Sequence, residues 1–336
     1  MPGSPCPADP ANPQKETQVD FTAPRTTATN GITMEYFEQG EGTPVLLLHG
    51  FPEHPYSWRN QVDPIAAAGF RVILPSQRGF GGTDAPADAL SYSCKSLVAD
   101  VAGLLDALGI DQAVWFGHDW GSMPAWYSGV FAPERVLGLG SLCTPYFTWE
   151  APQDMIEIYD ELRGPNHYMR TFQEPGVGEA ILEQDVEHTF RSMLRGRGYT
   201  MEQFLAAPKE IQEVPAGVFV GDPQLFGEPI VSDEELAFYV DVYSRSGFTG
   251  GLNWYRALRR DFEEAQGSDY VIDKPALMIS AADDWFFMPG STDGMEDLLP
   301  QVEKHVIPDA AHWLQQEKPQ EVSDLLVPWL TKNFAG

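Results

Sequence analysis

The chain has 336 residues, 43% of them hydrophobic, enough to bury a sizeable core; it is long for one domain and short for two large ones. It carries 49 acidic against 21 basic residues, a net charge of −28, and long-range repulsion then argues against nucleic acid and anionic membranes as partners. Three widely spaced cysteines (Cys6, Cys94, Cys143) give neither a disulfide framework nor a zinc pattern and fit a reducing, cytoplasmic setting.

Residues 1–25 open with MPGSPCPADP and are rich in proline and polar side chains. They lack a basic stretch followed by an apolar run, so an N-terminal arm is expected rather than a signal peptide. No later stretch is apolar for long enough to span a bilayer.

The first apolar run, Val45–Leu48, reads as a strand ending in the turn HGFPE at 49–53. Residues 57–68 read as a helix disturbed by one proline. Phe70–Pro75 is the next strand, followed by the glycine-rich turn RGFGGTD at 78–84. Ser91–Leu108 is an amphipathic helix with Leu97, Val98, Val101, Leu104, Leu105 and Leu108 on its apolar face. Ala113–Phe116 is a buried strand and Pro124–Phe131 a helix. Val136–Leu142, Ala276–Ala281 and Val302–Pro308 supply later strands. Such alternation means βαβ units and a mostly parallel sheet flanked by helices.

Between about Pro145 and Lys274 the alternation stops. Helical segments such as Val177–Leu194 and Asp233–Tyr243 fill the gap. The expected organisation is an arm at 1–25, an α/β core at 26–145 and 270–336, and a helical cap at 146–269. An insertion after a strand of an open α/β sheet lies over the strands' carboxyl ends, where such folds bind ligands.

The stretch WFGHDWGS at 115–122 carries the chemistry. Gly117 and Gly121 stand two residues either side of Asp119, the spacing of G-x-S-x-G, in which a strained strand-to-helix turn presents a nucleophile. Serine attacking saturated carbon would give an ether, which water does not readily cleave. A carboxylate gives an alkyl ester, and water can then strike the enzyme's own carboxyl carbon. Asp119 therefore points to displacement at sp³ carbon, as in epoxide opening or dehalogenation. The competing reading is that Asp119 merely caps the following helix.

A base and an orienting acid follow in the chain order of that motif. His312 lies just after the last strand, and the pair Asp283-Asp284 follows the strand ending at Ala281. Hydrolysis needs an oxyanion hole, expected from the backbone N–H groups of Trp120 and Phe51. Pro52 has no N–H and shapes the turn. Phe51, Trp120, Met123 and Trp313 suggest an apolar substrate pocket, with Pro52 at its wall. His54, His167, His188 and His305 form no metal-ligand spacing, and His49 and His118 read as structural. Gly79, Gly81 and Gly82 lack the context of a phosphate loop. Neither cofactor nor metal is expected.

The motifs HGFPE, RGFG, GHDWG, FQEPG at 172–176, SGF at 246–248, LNWYR at 252–256 and HW at 312–313 together resemble the epoxide hydrolases of the vertebrate and plant soluble type, over about residues 33–334. That resemblance implies an α/β-hydrolase fold with an inserted helical cap. It also implies an Asp119–His312–Asp284 triad, two cap tyrosines at Tyr255 and Tyr168 donating to the epoxide oxygen, and small-molecule epoxide and water as the only partners of a monomer or homodimer. It favours Asp284, before WFFMP, over Asp283. A haloalkane or haloacetate dehalogenase using the same triad is the alternative. A non-catalytic receptor is disfavoured by the intact Asp119, Asp284 and His312.

Overall fold

The computed structural model describes residues 19–150, 153–223 and 226–336. Eight strands form one sheet: β1 Arg25–Thr29, β2 Ile32–Gln39, β3 Thr43–Leu48, β4 Phe70–Pro75, β5 Ala113–His118, β6 Val136–Leu142, β7 Ala276–Ala281 and β8 Val302–Ile307. Their order is β1-β2-β4-β3-β5-β6-β7-β8. The β1–β2 and β2–β4 pairs are antiparallel, and every other pair is parallel.

Alternation along the central strands sends side chains to opposite faces. Val45 and Leu47 join one core with Val72, Val114, Phe116 and Trp329, while Leu46 and Leu48 join another with Ile73 and Trp115. The second core continues without a break into the helical region, taking in Phe172, Phe190, Tyr239 and Trp254. No strand intervenes among the described residues between Leu142 and Ala276; helices from Met155 to Ala265 occupy that interval.

Several expected elements differ in their bounds. The stretch from 57 is a 3₁₀ turn, Pro55–Trp58, followed by the helix Arg59–Ala67. The next helix is Cys94–Ala107, started by the Ser93 hydroxyl, which accepts from the Ser96 amide. Val177–Leu194 is two helices, Val177–Leu182 and Val186–Met193, because the Asp185 carboxylate accepts from the His188 amide and starts a new helix there. Of the expected arm, residues 1–18 lie outside the described residues. Phe21 packs its ring on Phe37 and Tyr56 at centroid distances of 5.2 and 5.1 Å.

Candidate active site

The turn between β5 and the helix Ser122–Phe131 holds Asp119 at φ 51°, in the left-handed region that a β-carbon disfavours. Neighbouring glycines make that turn possible. A β-carbon on Gly117 would lie 2.3 Å from the Gly121 carbonyl oxygen, and one on Gly121 would lie 2.2 Å from that of Leu48. The strand end, the turn and the loop after β3 thus pack backbone to backbone, and Asp119 is pushed towards the helical region.

Three side chains from three loops converge there. His312 Nδ1 lies 2.9 Å from Asp284 Oδ2, and His312 Nε2 lies 3.3 Å from Asp119 Oδ2. Of the two neighbouring acids after β7, Asp284 is the one that reaches His312; the Asp283 carboxylate instead accepts from the Met201 amide. The Phe51 amide donates to Asp119 Oδ1 at 2.8 Å. One expected oxyanion donor thus already holds the carboxylate, whereas no hydrogen bond from the Trp120 amide reaches it among the described residues. Burial opposes the imidazolium form of His312, but Asp284 and Asp119 outweigh burial and push its pKa up to about 10. Burial likewise opposes ionised Asp119, yet His312, His118 and the Phe51 amide hold its pKa below the usual carboxylate value.

The two tyrosines come together on the wall of the cavity that Asp119 also lines. Tyr255, in the helix Thr249–Arg256, and Tyr168, first residue of the helix Tyr168–Thr171, have ring centroids 5.8 Å apart. Tyr255 packs edge-on against Trp120 at 4.7 Å and Phe51 at 5.5 Å. Burial, reinforced by nearby Asp119, pushes both phenols well above their ordinary pKa, so both remain O–H donors.

A cavity of about 530 Å³ opens over Asp119, lined by Trp120, Met123, Tyr168 and Tyr255, and runs out past Tyr159 to Leu162 and Met288. A second cavity, of about 40 Å³, lies at His312 and Trp313. Pro52 is buried and lines neither. Tyr159 and Phe286 are cavity residues that the sequence reading passed over, although Phe286 lies in the WFFMP stretch used to select Asp284.

Beneath the triad lies a buried polar network. Glu53 accepts from the Gly50 amide at 2.8 Å, from Gln315 at 2.8 Å and from Gln316 at 3.2 Å, and it pairs with His118 Nδ1 at 2.8 Å. His118 Nε2 donates to the His312 carbonyl oxygen at 2.7 Å. His49 is equally structural: its Nε2 accepts the Gln77 amide at 3.1 Å, leaving Nδ1–H to donate to the Gly50 carbonyl oxygen at 2.9 Å. Ligand atoms of His118, Cys143 and His312 lie within 4.8 Å of one another. All four ring nitrogens are already engaged, to Glu53, the His312 carbonyl, Asp284 and Asp119, which suits triad support better than a metal centre.

The sequence pattern of the α/β-hydrolase fold matches residues 43–174 and 231–319. Bifunctional epoxide hydrolase 2 of Sus scrofa is 38% identical over 311 residues, covering 89% of this chain and 53% of that protein. The chain thus spans about half the length of the mammalian relatives it matches. Epoxide hydrolase A of Mycobacterium tuberculosis is 38% identical over 309 residues, covering 90% of this chain and 95% of that one. The crystal structure of epoxide hydrolase A from Mycobacterium thermoresistibile superposes with a TM-score of 0.82 at 34% identity, covering 92% and 98% of the two chains. These relatives are epoxide hydrolases, which leaves the dehalogenase alternative unsupported. Among the described residues no helix is long and apolar enough to cross a membrane.

Proposed function

This chain belongs to the α/β-hydrolase family and, within it, to the epoxide hydrolases, and we propose that it opens an apolar epoxide to a vicinal diol through an ester on Asp119. The observation that carries this reading is the division of labour between the two Asp119 oxygens. Oδ1 rests on the Phe51 amide, while Oδ2 faces His312, and Asp119 lines the same cavity as the two tyrosines. Residues 26–145 and 270–336 form the core in this proposal, and 146–269 the cap.

Asp119 Oδ2 attacks one ring carbon, and the carbon–oxygen bond of the strained ring breaks. Tyr255 and Tyr168 stabilise the growing alkoxide, and one of them gives it a proton. Esterification removes the charge on Asp119, one of the two carboxylates that hold His312 protonated. The His312 imidazolium then passes its proton through water to the tyrosinate, which returns to neutral tyrosine, and the neutral imidazole becomes a base. It takes a proton from water, whose hydroxide attacks the Asp119 carboxyl carbon. The Phe51 amide receives the negative oxygen of the tetrahedral intermediate, with the Trp120 amide as its proposed second donor. On collapse the hydroxyl proton of the tetrahedral intermediate passes to the leaving alkoxide, the diol departs, and Asp119 and protonated His312 return as an ion pair.

Met123, with Trp120 and the cavity aromatics, supplies the apolar wall for the substrate's hydrocarbon part, and Trp313 stands behind His312. The buried free thiols Cys94 and Cys143 support a cytoplasmic setting. His312→Gln keeps the nucleophile and removes the base. Intact-protein mass spectrometry after mixing with an epoxide is expected to show a mass increase equal to the substrate. A folded variant that stays unmodified would contradict the assignment of His312 to the second step.

A further inference from the structure

The segment Met193–Met201, which also bonds to residues 227–230, makes several hydrogen bonds to the two loops that carry Asp284 and His312 and to the short helix after His312. Asp283, one residue before the acid, accepts from the Met201 amide at 2.8 Å and from Arg197 Nη1 at 3.1 Å. The same nitrogen donates to Asp309, three residues before the histidine. The Arg197 amide donates to Glu317 Oε1 at 2.9 Å, and Glu317 Oε2 accepts the Ala311 amide at 2.8 Å, beside His312. Trp313 Nε1, on the other side of His312, donates to the Met193 carbonyl oxygen at 2.5 Å. The approach is close: a β-carbon on Gly196 would lie 2.9 Å from Glu317 Oε1.

The nucleophile and the tyrosine helix are held by other contacts. Asp119 is held by the Phe51 amide and by Thr144, whose hydroxyl donates to its carbonyl oxygen at 3.2 Å. The helix bearing Tyr255 docks through Trp254 Nε1, which donates to the Arg78 carbonyl oxygen at 3.0 Å. Gly250 adds a backbone contact, since a β-carbon there would lie 2.0 Å from the Gly79 carbonyl oxygen. The Arg197 contacts add to a direct tie between the two loops, the Asp283 amide donating to the Ala310 carbonyl oxygen at 3.0 Å, and none of them reaches Asp119 or the tyrosine helix.

We infer that Arg197 and Asp283 are positioning residues for the hydrolytic half-reaction, tying the acid loop to the histidine loop through the helical region and setting the Asp284–His312 alignment. The inference rests on the two-step reading above. Water activation depends on where His312 points, and a shift of about 1 Å in a catalytic group costs on the order of a hundredfold in rate. Attack by Asp119 on the epoxide does not use the base. The split between the two steps therefore reports the strut. The Arg197 side chain is 35% exposed, so its ion pairs are open to screening by salt.

The test is rapid mixing of Arg197→Ala and Asp283→Asn with styrene oxide or 1,2-epoxyoctane, whichever the unaltered protein turns over. Ester formation and ester hydrolysis are followed separately. Ester formation is expected at the unaltered rate in both variants, with hydrolysis slowed about tenfold so that ester accumulates. Arg197→Lys, which keeps a cation between Asp283 and Asp309, is expected to recover most of the hydrolysis rate. Equal slowing of both steps, or hydrolysis at the unaltered rate, would overturn the inference. Absence of ester in the unaltered protein would show separately that the two-step reading fails, and the inference would fall with it.

Discussion

Asp119 occupies a backbone conformation that its side chain disfavours, and the strained turn places its carboxylate in the wall of the cavity. In the proposed reaction the tyrosine hydroxyls meet an oxygen whose charge grows during ring opening, so they would stabilise the transition state more than the bound substrate. Loss of one such donor costs about 2.7–4 kcal/mol, on the order of a hundred- to a thousandfold in rate. Tyr255→Phe and Tyr168→Phe are each expected to slow ester formation yet stay active, because the other phenol remains. The double variant is expected to form almost no ester in pre-steady-state measurements. Near-normal ester formation in the double variant would reduce the tyrosines to cap packing. The meeting of Asp119 with His312 was legible from the glycine-framed turn and chain order, whereas the choice of Asp284 over Asp283 and the place of Tyr255 came only with the family resemblance. Glu53 was quoted in HGFPE but its role was not, since its partners His118, Gln315 and Gln316 come from distant parts of the chain.

At the scale of elements, the helix Leu258–Ala265 follows directly on the tyrosine helix and reaches back to the core. Its Asp261 is buried and accepts the Cys94 amide at 2.5 Å, at the start of the helix Cys94–Ala107. Burial raises the Asp261 pKa to about 8; the Cys94 amide opposes this and Glu264 adds to it. In the unfolded chain the same acid ionises near pH ~3.9. The folded state therefore holds this proton longer, and its stability falls as pH rises from there to about 8. Asp261→Asn keeps an acceptor for Cys94 and removes the titration. Its melting temperature relative to the unaltered protein is expected to be higher at about pH 8.5 than at about pH 5, by roughly 2–4 °C per kcal/mol recovered. An equal change at both pH values would show that Asp261 is not titrating there. The central strands were legible because continuous apolar runs mark strands buried on both faces. β1 and β2 were not: β1, RTTAT, is largely exposed at the sheet edge and has no apolar run to read. The division at Asp185 was hidden for another reason, because helical periodicity continues on both sides of a capping residue.

At the scale of the whole molecule, the sheet places Asp119, Asp284 and His312 after the ends of β5, β7 and β8, and the helical region brings Tyr168 and Tyr255 to the same cavity as Asp119. The cavity between them is apolar-walled, with Asp119 at its floor. The charge of −28 argued against classes of partner but located nothing, since a site is made by a few converging groups rather than by net charge. The interval without strands was legible as a helical insertion, whereas the strut from Met193 to Met201 depends on pairings more than 80 residues apart in sequence, such as Arg197 with Asp283, |i−j| = 86. The central claim is that turnover passes through an ester on Asp119. A single turnover in oxygen-18 water, followed by mass analysis of the peptide containing Asp119 and of the diol, tests it most directly. Attack of water on the carboxyl carbon is expected to leave the label in Asp119 and release an unlabelled diol. Label in the first-turnover diol, with none in the peptide, would mean that water opens the epoxide directly and would contradict the account.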